Sequence, residues 1–158
     1  MQIYFAGPLF SLAEREFNQR LSSLVCQGLE GASAILPQDE TQRLMAESDP
    51  CARIFDFCVG SIDRADVVVA ILDGPDVDSG TSFEIGYAFS RKKPIIGVRT
   101  DPRQLEDQGV NLMISRSVNS MIWLDSSHLS LEELADKVIR VLRSANLATV
   151  PSSGPVQG

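Results

Sequence analysis

Three carboxylates, Asp73, Asp78 and Glu84, crowd one short stretch of the chain, D-G-P-D-V-D-S-G-T-S-F-E-I-G-Y-A-F-S over residues 73–90. Like charges held close raise one another's pKa, while the amides of a helix N-terminus stabilise an anion. One carboxylate of such a group can stay ionised as a nucleophile while another keeps a proton to donate. That division of labour suits the departure of a base from a sugar. Positive charge builds on the anomeric carbon as the base leaves, and a carboxylate can trap it covalently. Taken singly, each acid fits a helix cap or a solvated loop equally well; three together beside a glycine-rich turn point to chemistry.

The elements around them must bring them together. Asp66-Val67-Val68-Val69-Ala70-Ile71-Leu72 is rich in β-branched residues and bounded by turn formers, so it reads as a strand buried on both faces. Gly74, Pro75 and Gly80 then break the pattern, and Ser79 or Thr81 can cap a helix carrying Glu84, Ile85, Tyr87, Ala88 and Phe89. Glu84 thus lies near the start of a helix that begins where a buried strand ends, the edge at which open parallel sheets bind ligands.

Four further strands are expected, over Gln2–Ala6, Ala32–Leu36, Pro94–Val98 and Met121–Leu124. Ser11-x-x-Glu14 and Ser130-x-x-Glu133 are capping boxes opening the first and last helices, the latter running to about Asn146. Leu12, Phe17, Leu21, Leu24 and Val25 follow helical spacing. After the second strand, Pro37-Gln38-Asp39 reads as a loop and Thr41 to Ser48 as a short helical stretch. Asp49-Pro50 is an N-cap followed by a first-turn proline, opening a helix to Arg64 that buries Ile54, Phe55, Cys58 and Ile62. Lys92 and Lys93 suit the negative end of the helix before them. Thr100 to Gly109 is long enough to be a functional loop, and Asn111 to Ser115 a single helical turn.

Strands alternating with helices imply an α/β, flavodoxin-like or Rossmann-like three-layer sandwich with five parallel strands. Right-handed crossovers favour the order 2-1-3-4-5, which sets Tyr4 and the Gly7 turn beside Asp73 and Glu84. At 158 residues the chain is expected to be one domain over 1–147, with a disordered Pro-Ser-Gly tail over 148–158. No repeat is visible.

A formal net charge of −7 argues against a nucleic-acid partner and suits a neutral small substrate. No apolar run spans a bilayer and no signal peptide is visible, so a soluble cytoplasmic protein with no membrane partner is expected. Cys26, Cys51 and Cys58 are odd in number, lack metal-ligand spacing and read as buried free thiols. The lone His128 excludes a histidine metal cluster, and neither a metal nor a cofactor is expected.

Asp73, Asp78 and Gly80-Thr81-x-x-Glu84-Ile85-Gly86-Tyr87-Ala88, with Ile3-Tyr4-Phe5-Ala6-Gly7-Pro8 before them and Asn111-Leu112-Met113 after, resemble the signature of the nucleoside 2-deoxyribosyltransferase family. The match covers about residues 2–125 in consistent order. The Gly-Thr-x-x-Glu element also resembles the phosphoribohydrolases that release cytokinin bases, but the double glycine expected before it is missing. The resemblance implies that Glu84 attacks the anomeric carbon to give a glycosyl-enzyme, which a second base resolves with retention, or water by hydrolysis.

It further implies that Asp73 exchanges a proton with the base and that Asp78 holds a sugar hydroxyl. Tyr4 would orient Glu84, and Gln38 would bond a base edge. Gly7 and Gly80 would shape turns near the sugar, and Phe10 would stack on the base. Asn111 and Met113 would complete the site of a neighbouring subunit, so a homo-oligomer is expected. Each residue also has a plainer reading. Asp73 fits a turn, Asp78 and Asn111 helix caps, Tyr4 and Met113 core packing, and Phe10 a hydrophobic staple. Two rival functions remain: an N-glycosidase of 2'-deoxynucleoside 5'-monophosphates, and a nucleotide-binding module without turnover.

Overall fold

Apolar runs of five or fewer residues become strands here, and the amphipathic stretches between them become helices that shield both faces of one sheet. The computed structural model describes residues 1–101, 110–124 and 130–145. The strands are β1 (Gln2–Ala6), β2 (Ser33–Ile35), β3 (Val67–Ile71), β4 (Ile95–Arg99) and β5 (Ser120–Trp123). The helices are α1 (Leu12–Gln27), α2 (Pro37–Leu44), α3 (Pro50–Arg64), α4 (Ser79–Ser90), α5 (Leu112–Ser117) and α6 (Leu131–Ala145). All four strand pairings are parallel, in the order β2-β1-β3-β4-β5. The expected α/β architecture and strand order are those observed.

Side chains alternate across a strand, so each central strand feeds two cores. Ile3, Phe5, Val67, Val69, Ile71, Ile96 and Val98 point to one side, where Leu21 and Val25 of α1 meet Leu134, Val138 and Leu142 of α6. Tyr4, Ala6, Val68, Ala70, Leu72 and Ile95 point to the other, against Ile62 of α3 and Ile85 and Ala88 of α4. Tyr4 pairs with Val68 across the β1–β3 ladder. The pleat thereby aims a phenol at the layer that carries Glu84.

Several local expectations need revision. The chain enters α2 directly at Pro37, whose missing N–H costs nothing in a first turn, so Gln38 is helical and not in a loop. Cys51 is exposed, and Cys26 and Cys58 are only partly buried; all three are free thiols. Phe55 is 54% exposed because α3 turns that face outward, leaving Ile62 as its fully buried anchor. The Lys93 ammonium donates to the carbonyls of Asp63 and Ala65 at 2.7 and 2.8 Å, so it satisfies the end of α3, not α4. Both capping boxes form as expected, at Ser11–Glu14 and Ser130–Glu133. His128, the loop over 102–109 and the tail from 146 onward lie outside the described residues. No described helix is long and apolar enough to cross a membrane.

Candidate active site

The strand order reverses direction between β1 and β3, and the turns leaving these two strands open a crevice. At its edge Asp78, not Ser79 or Thr81, caps α4. Its Oδ2 accepts from the Thr81 backbone N–H at 2.9 Å and from Thr81 Oγ1 at 3.2 Å. A carboxylate cap satisfies orphan amides and favours the positive end of the helix dipole, so the acid is stable there. Gly80 lies close beside it, where a Cβ would come within 3.1 Å of Asp78 Oδ2, a tight contact. Gly74, at φ +115°, supplies the left-handed step that turns the chain off β3 toward this cap.

Glu84 projects from α4 back toward the sheet. The Tyr4 hydroxyl donates to Glu84 Oε1 at 2.5 Å, tying strand to helix. Tyr4 is completely buried, and a hydrogen bond to a carboxylate is strong in such surroundings. Burial pushes the Glu84 carboxyl up to about 7, with the charge of Asp78 adding to the rise; donation from Tyr4 and Cys58 works the other way. Burial first, and then the Glu84 charge, hold the Tyr4 hydroxyl far above its ordinary range, so it remains a donor. Cys58 of α3 is likewise raised, to about 11, chiefly by burial, and stays a neutral thiol.

Above this pair lies a cavity of about 420 Å³, within the usual range for small-molecule sites. Gly7, Leu9 and Phe10 form one wall, Pro37 and Thr41 of α2 another, and Ile54, Phe55 and Cys58 of α3 a third. Asp78, Gly80 and Glu84 close it. Gly7 packs closely on β3, where a Cβ would come within 3.1 Å of Ile71 Cβ, a tight contact. Phe10 is 73% exposed, so it is not a buried staple; its ring is free at the cavity's rim. The turn bearing it is held by α1. Glu14 Oε2 accepts from the Phe10 N–H, and Arg15 donates to the carbonyls of Leu9 and Phe10.

Other expected residues lie off this cavity. Asp73 is held by the exit of β4: its Oδ1 accepts from the N–H groups of Thr100 and Asp101 at 2.6 and 2.9 Å, and its Oδ2 from Thr100 Oγ1 at 2.5 Å. Gln38 donates to the Arg15 carbonyl at 3.0 Å and accepts from Asn18 at 3.4 Å, while Asn18 also donates to the Pro8 carbonyl at 2.9 Å. Its amide therefore braces the Gly7–Phe10 turn from behind. Asn111 caps α5, accepting from the Met113 N–H at 2.9 Å, and Met113 is 76% exposed, not a core residue. Both stand outside the cavity walls. Among the described residues no group of three His, Cys, Asp or Glu side chains converges to hold a metal ion.

The family model for nucleoside 2-deoxyribosyltransferase matches residues 3–119, a span that takes in the Tyr4–Glu84 pair and the whole cavity. The chain belongs to that family. An uncharacterized protein of Schizosaccharomyces pombe is 32% identical over 99 residues, which is 63% of this chain and 42% of that protein. The chain thus matches less than half the length of this relative. The 2-deoxyribosyltransferase of Bacillus psychrosaccharolyticus superposes with a TM-score of 0.66 at 19% identity, over 86% of this chain and 91% of its own. The CMP N-glycosidase BcmB of Clostridium botulinum does so with a TM-score of 0.59 at 17% identity, over 87% and 98%. At these identities the likeness is one of fold. Proteins with different substrates share it.

Two features of this nucleoside 2-deoxyribosyltransferase family member escaped sequence reasoning. Cys58 reads as one more apolar position of α3, yet it lines the same cavity as Glu84. Arg99, ending a strand that reads as wholly apolar, is 1% exposed and donates to the carbonyls of Leu72 and Gly74 at 2.5 and 3.2 Å. With Thr100 and Asp101 it laces the β4 exit to the loop that presents Asp78. An arginine directly after a buried strand was the one available signal.

Proposed function

We propose that this protein transfers a 2-deoxyribosyl group between nucleobases, as a transferase acting on N-glycosidic bonds in deoxynucleoside salvage, by a double displacement that retains configuration. The observation that carries the reading is a glutamate held by a buried tyrosine at the floor of a nucleoside-sized cavity. A Glu84 oxygen bonds to the anomeric carbon as the bond from that carbon to the base nitrogen breaks. The bonding pair leaves with the base, which takes up a proton. A second base then donates a nitrogen lone pair to the same carbon, loses its own proton and frees Glu84. Water in place of that base gives hydrolysis.

In this reading Glu84 acts as the ionised nucleophile, so the rate should rise as pH passes about 7. Tyr4 fixes the carboxylate's orientation, Asp78 takes a sugar hydroxyl, and Phe10 stacks on the base while Gly7 and Gly80 leave room for the sugar. Gln38 serves the base from behind the Gly7 turn. Asp73 is assigned the proton exchanged with the base, a role that requires its carboxylate to trade the Thr100 hydroxyl for the base; Asp73→Asn should then slow transfer more than substrate binding. The protein works as a homo-oligomer in which Asn111 and Met113 complete a neighbour's cavity. Exposed Leu112 and Met113 on α5 and exposed Phe83 and Phe89 on α4 support that assembly.

The rival substrate, a deoxynucleoside monophosphate, carries a dianion. The described lining offers it the carboxylates of Asp78 and Glu84 and no lysine or arginine, which favours a neutral nucleoside. The deciding assay incubates deoxyinosine with adenine, and separately deoxynucleoside monophosphates alone, and separates products by chromatography. Deoxyadenosine in the first mixture supports the transferase. Base release only from the monophosphates would replace it with the N-glycosidase, and binding without release with a non-catalytic module.

A further inference from the structure

The Phe10 ring lines the cavity yet is 73% exposed, so side-chain packing does little to hold it. A ring so placed serves a ligand well only if its backbone is fixed, because a turn that must be ordered on binding loses affinity to that ordering. The start of α1 does the fixing. Arg15 Nη1 donates to the Leu9 carbonyl at 3.1 Å and to the Phe10 carbonyl at 2.8 Å. Glu14 Oε2 accepts from the Phe10 N–H at 2.9 Å and from the Ser11 N–H at 2.7 Å. These four groups belong to the two peptide units on either side of the Phe10 Cα. Each planar unit is therefore gripped at its C=O by a cation and at its N–H by an anion, which sets φ and ψ of Phe10 and the direction in which its side chain leaves.

Glu14 has a second task in the capping box, but Arg15 has none. It is exposed, and it is not part of the cavity wall. A cation near a helix N-terminus opposes the dipole, and holding a long exposed side chain costs rotamer freedom. Both costs are met by the two carbonyls that flank Phe10. We propose that Arg15 is a positioning residue, which fixes the Phe10 backbone so that the ring stands ready for the nucleobase before substrate arrives. This rests on the reading of Phe10 as the base's stacking partner.

The test is a double-mutant cycle in the full chain, with deoxyinosine binding measured by calorimetry in the Glu84→Ala background, which lacks the attacking group. Phe10→Ala should weaken binding about 10-fold, the usual scale for losing a base–aromatic stack. Arg15→Met, which keeps the apolar stem, should weaken it about 3- to 5-fold by loosening the turn. In the Phe10→Ala chain the same substitution should add less than about 1.5-fold, because its effect passes through the ring. Arg20→Met, an exposed arginine further along α1, should leave binding unchanged. With Glu84 restored, Arg15→Met should raise KM several-fold and hold kcat within about 2-fold, since ground and transition states lose the same contact. Equal weakening by Arg15→Met with and without the Phe10 ring overturns the proposal. So does no weakening by either single substitution, or no measurable binding. The coupling observed in a protein that transfers no base upholds the proposal and sinks the transferase reading alone; base transfer with additive losses does the reverse.

Discussion

The two layers flanking the sheet are built to opposite rules. On one side α1 and α6 bury Leu21, Val25, Leu134, Val138 and Leu142 against the strands, an apolar core with amphipathic helices over it. On the other side α3 and α4 bury Tyr4 and most of Glu84, and they leave Phe55, Phe83 and Phe89 more than half exposed. Phe55, Phe83 and Tyr87 form a tilted and then stacked aromatic series there, at centroid distances of 5.7 and 6.4 Å. The first layer spends its apolar area on folding. The second gives up part of that area to hold a carboxylate in low dielectric and to keep an apolar surface for contact, a local inconsistency of the kind that marks functional sites.

Substitutions can break this contrast. Glu84→Ala should lower transfer by about 10³-fold or more with the circular dichroism spectrum preserved, because it removes the reacting group while the two apolar cores stay intact. In the opposite layer, Leu21→Ala should cost about 2–5 kcal/mol in denaturant unfolding and leave the pH profile of the residual activity unmoved.

Glu84 itself should show the cost of its burial. Its folded-state pKa is raised from 4.5 to about 7, so no penalty exists below 4.5, where folded and unfolded chains are both protonated. Between pH 4.5 and about 7 the unfolded chain gives up this proton while the folded chain keeps it, so stability on the order of 3 kcal/mol is lost across that window and no more above it. Glu84→Gln should therefore gain stability over the native protein as pH rises from 5 to 8, measured by unfolding at each pH. An unchanging difference would show that the carboxylate is solvated.

Tyr4→Phe should raise the acid limb of the rate profile and slow transfer roughly 10-fold below pH 7, since it deletes the stronger donor to Glu84. The smallest effect on the monomer is expected at Phe83→Ser. It should change folding stability by no more than about 0.5 kcal/mol, yet lower the apparent mass in sedimentation if this face contacts a second copy.

Tyr4, Glu84 and Asp78 were legible in the sequence because each follows from a local rule. Tyr4 alternates within an apolar strand, Asp78 precedes a helix start, and Glu84 sits in that helix's first turns beside a Gly-Thr step. Gln38 and Cys58 were not legible in the same way. A proline after a short strand fits a loop as well as a helical first turn, so the switch of Gln38 onto α2 depended on what that turn could pack against. Whether a cysteine on an amphipathic helix meets the core or a carboxylate depends on the rotation of that helix against its neighbours, which no short-range rule sets.

The pattern of apolar runs and breakers determined by itself the parallel sheet, its strand order and the edge where the acids gather, since period-two and helical spacings are properties of the chain alone. Only the tertiary structure decided that Asp73 is held by Thr100 and Asp101, that Arg99 is buried behind the loop, and that Cys58 lines the glutamate's cavity. Those contacts join residues far apart in sequence. Their geometry comes from packing of whole elements, where a small rotation of one helix exchanges one partner for another.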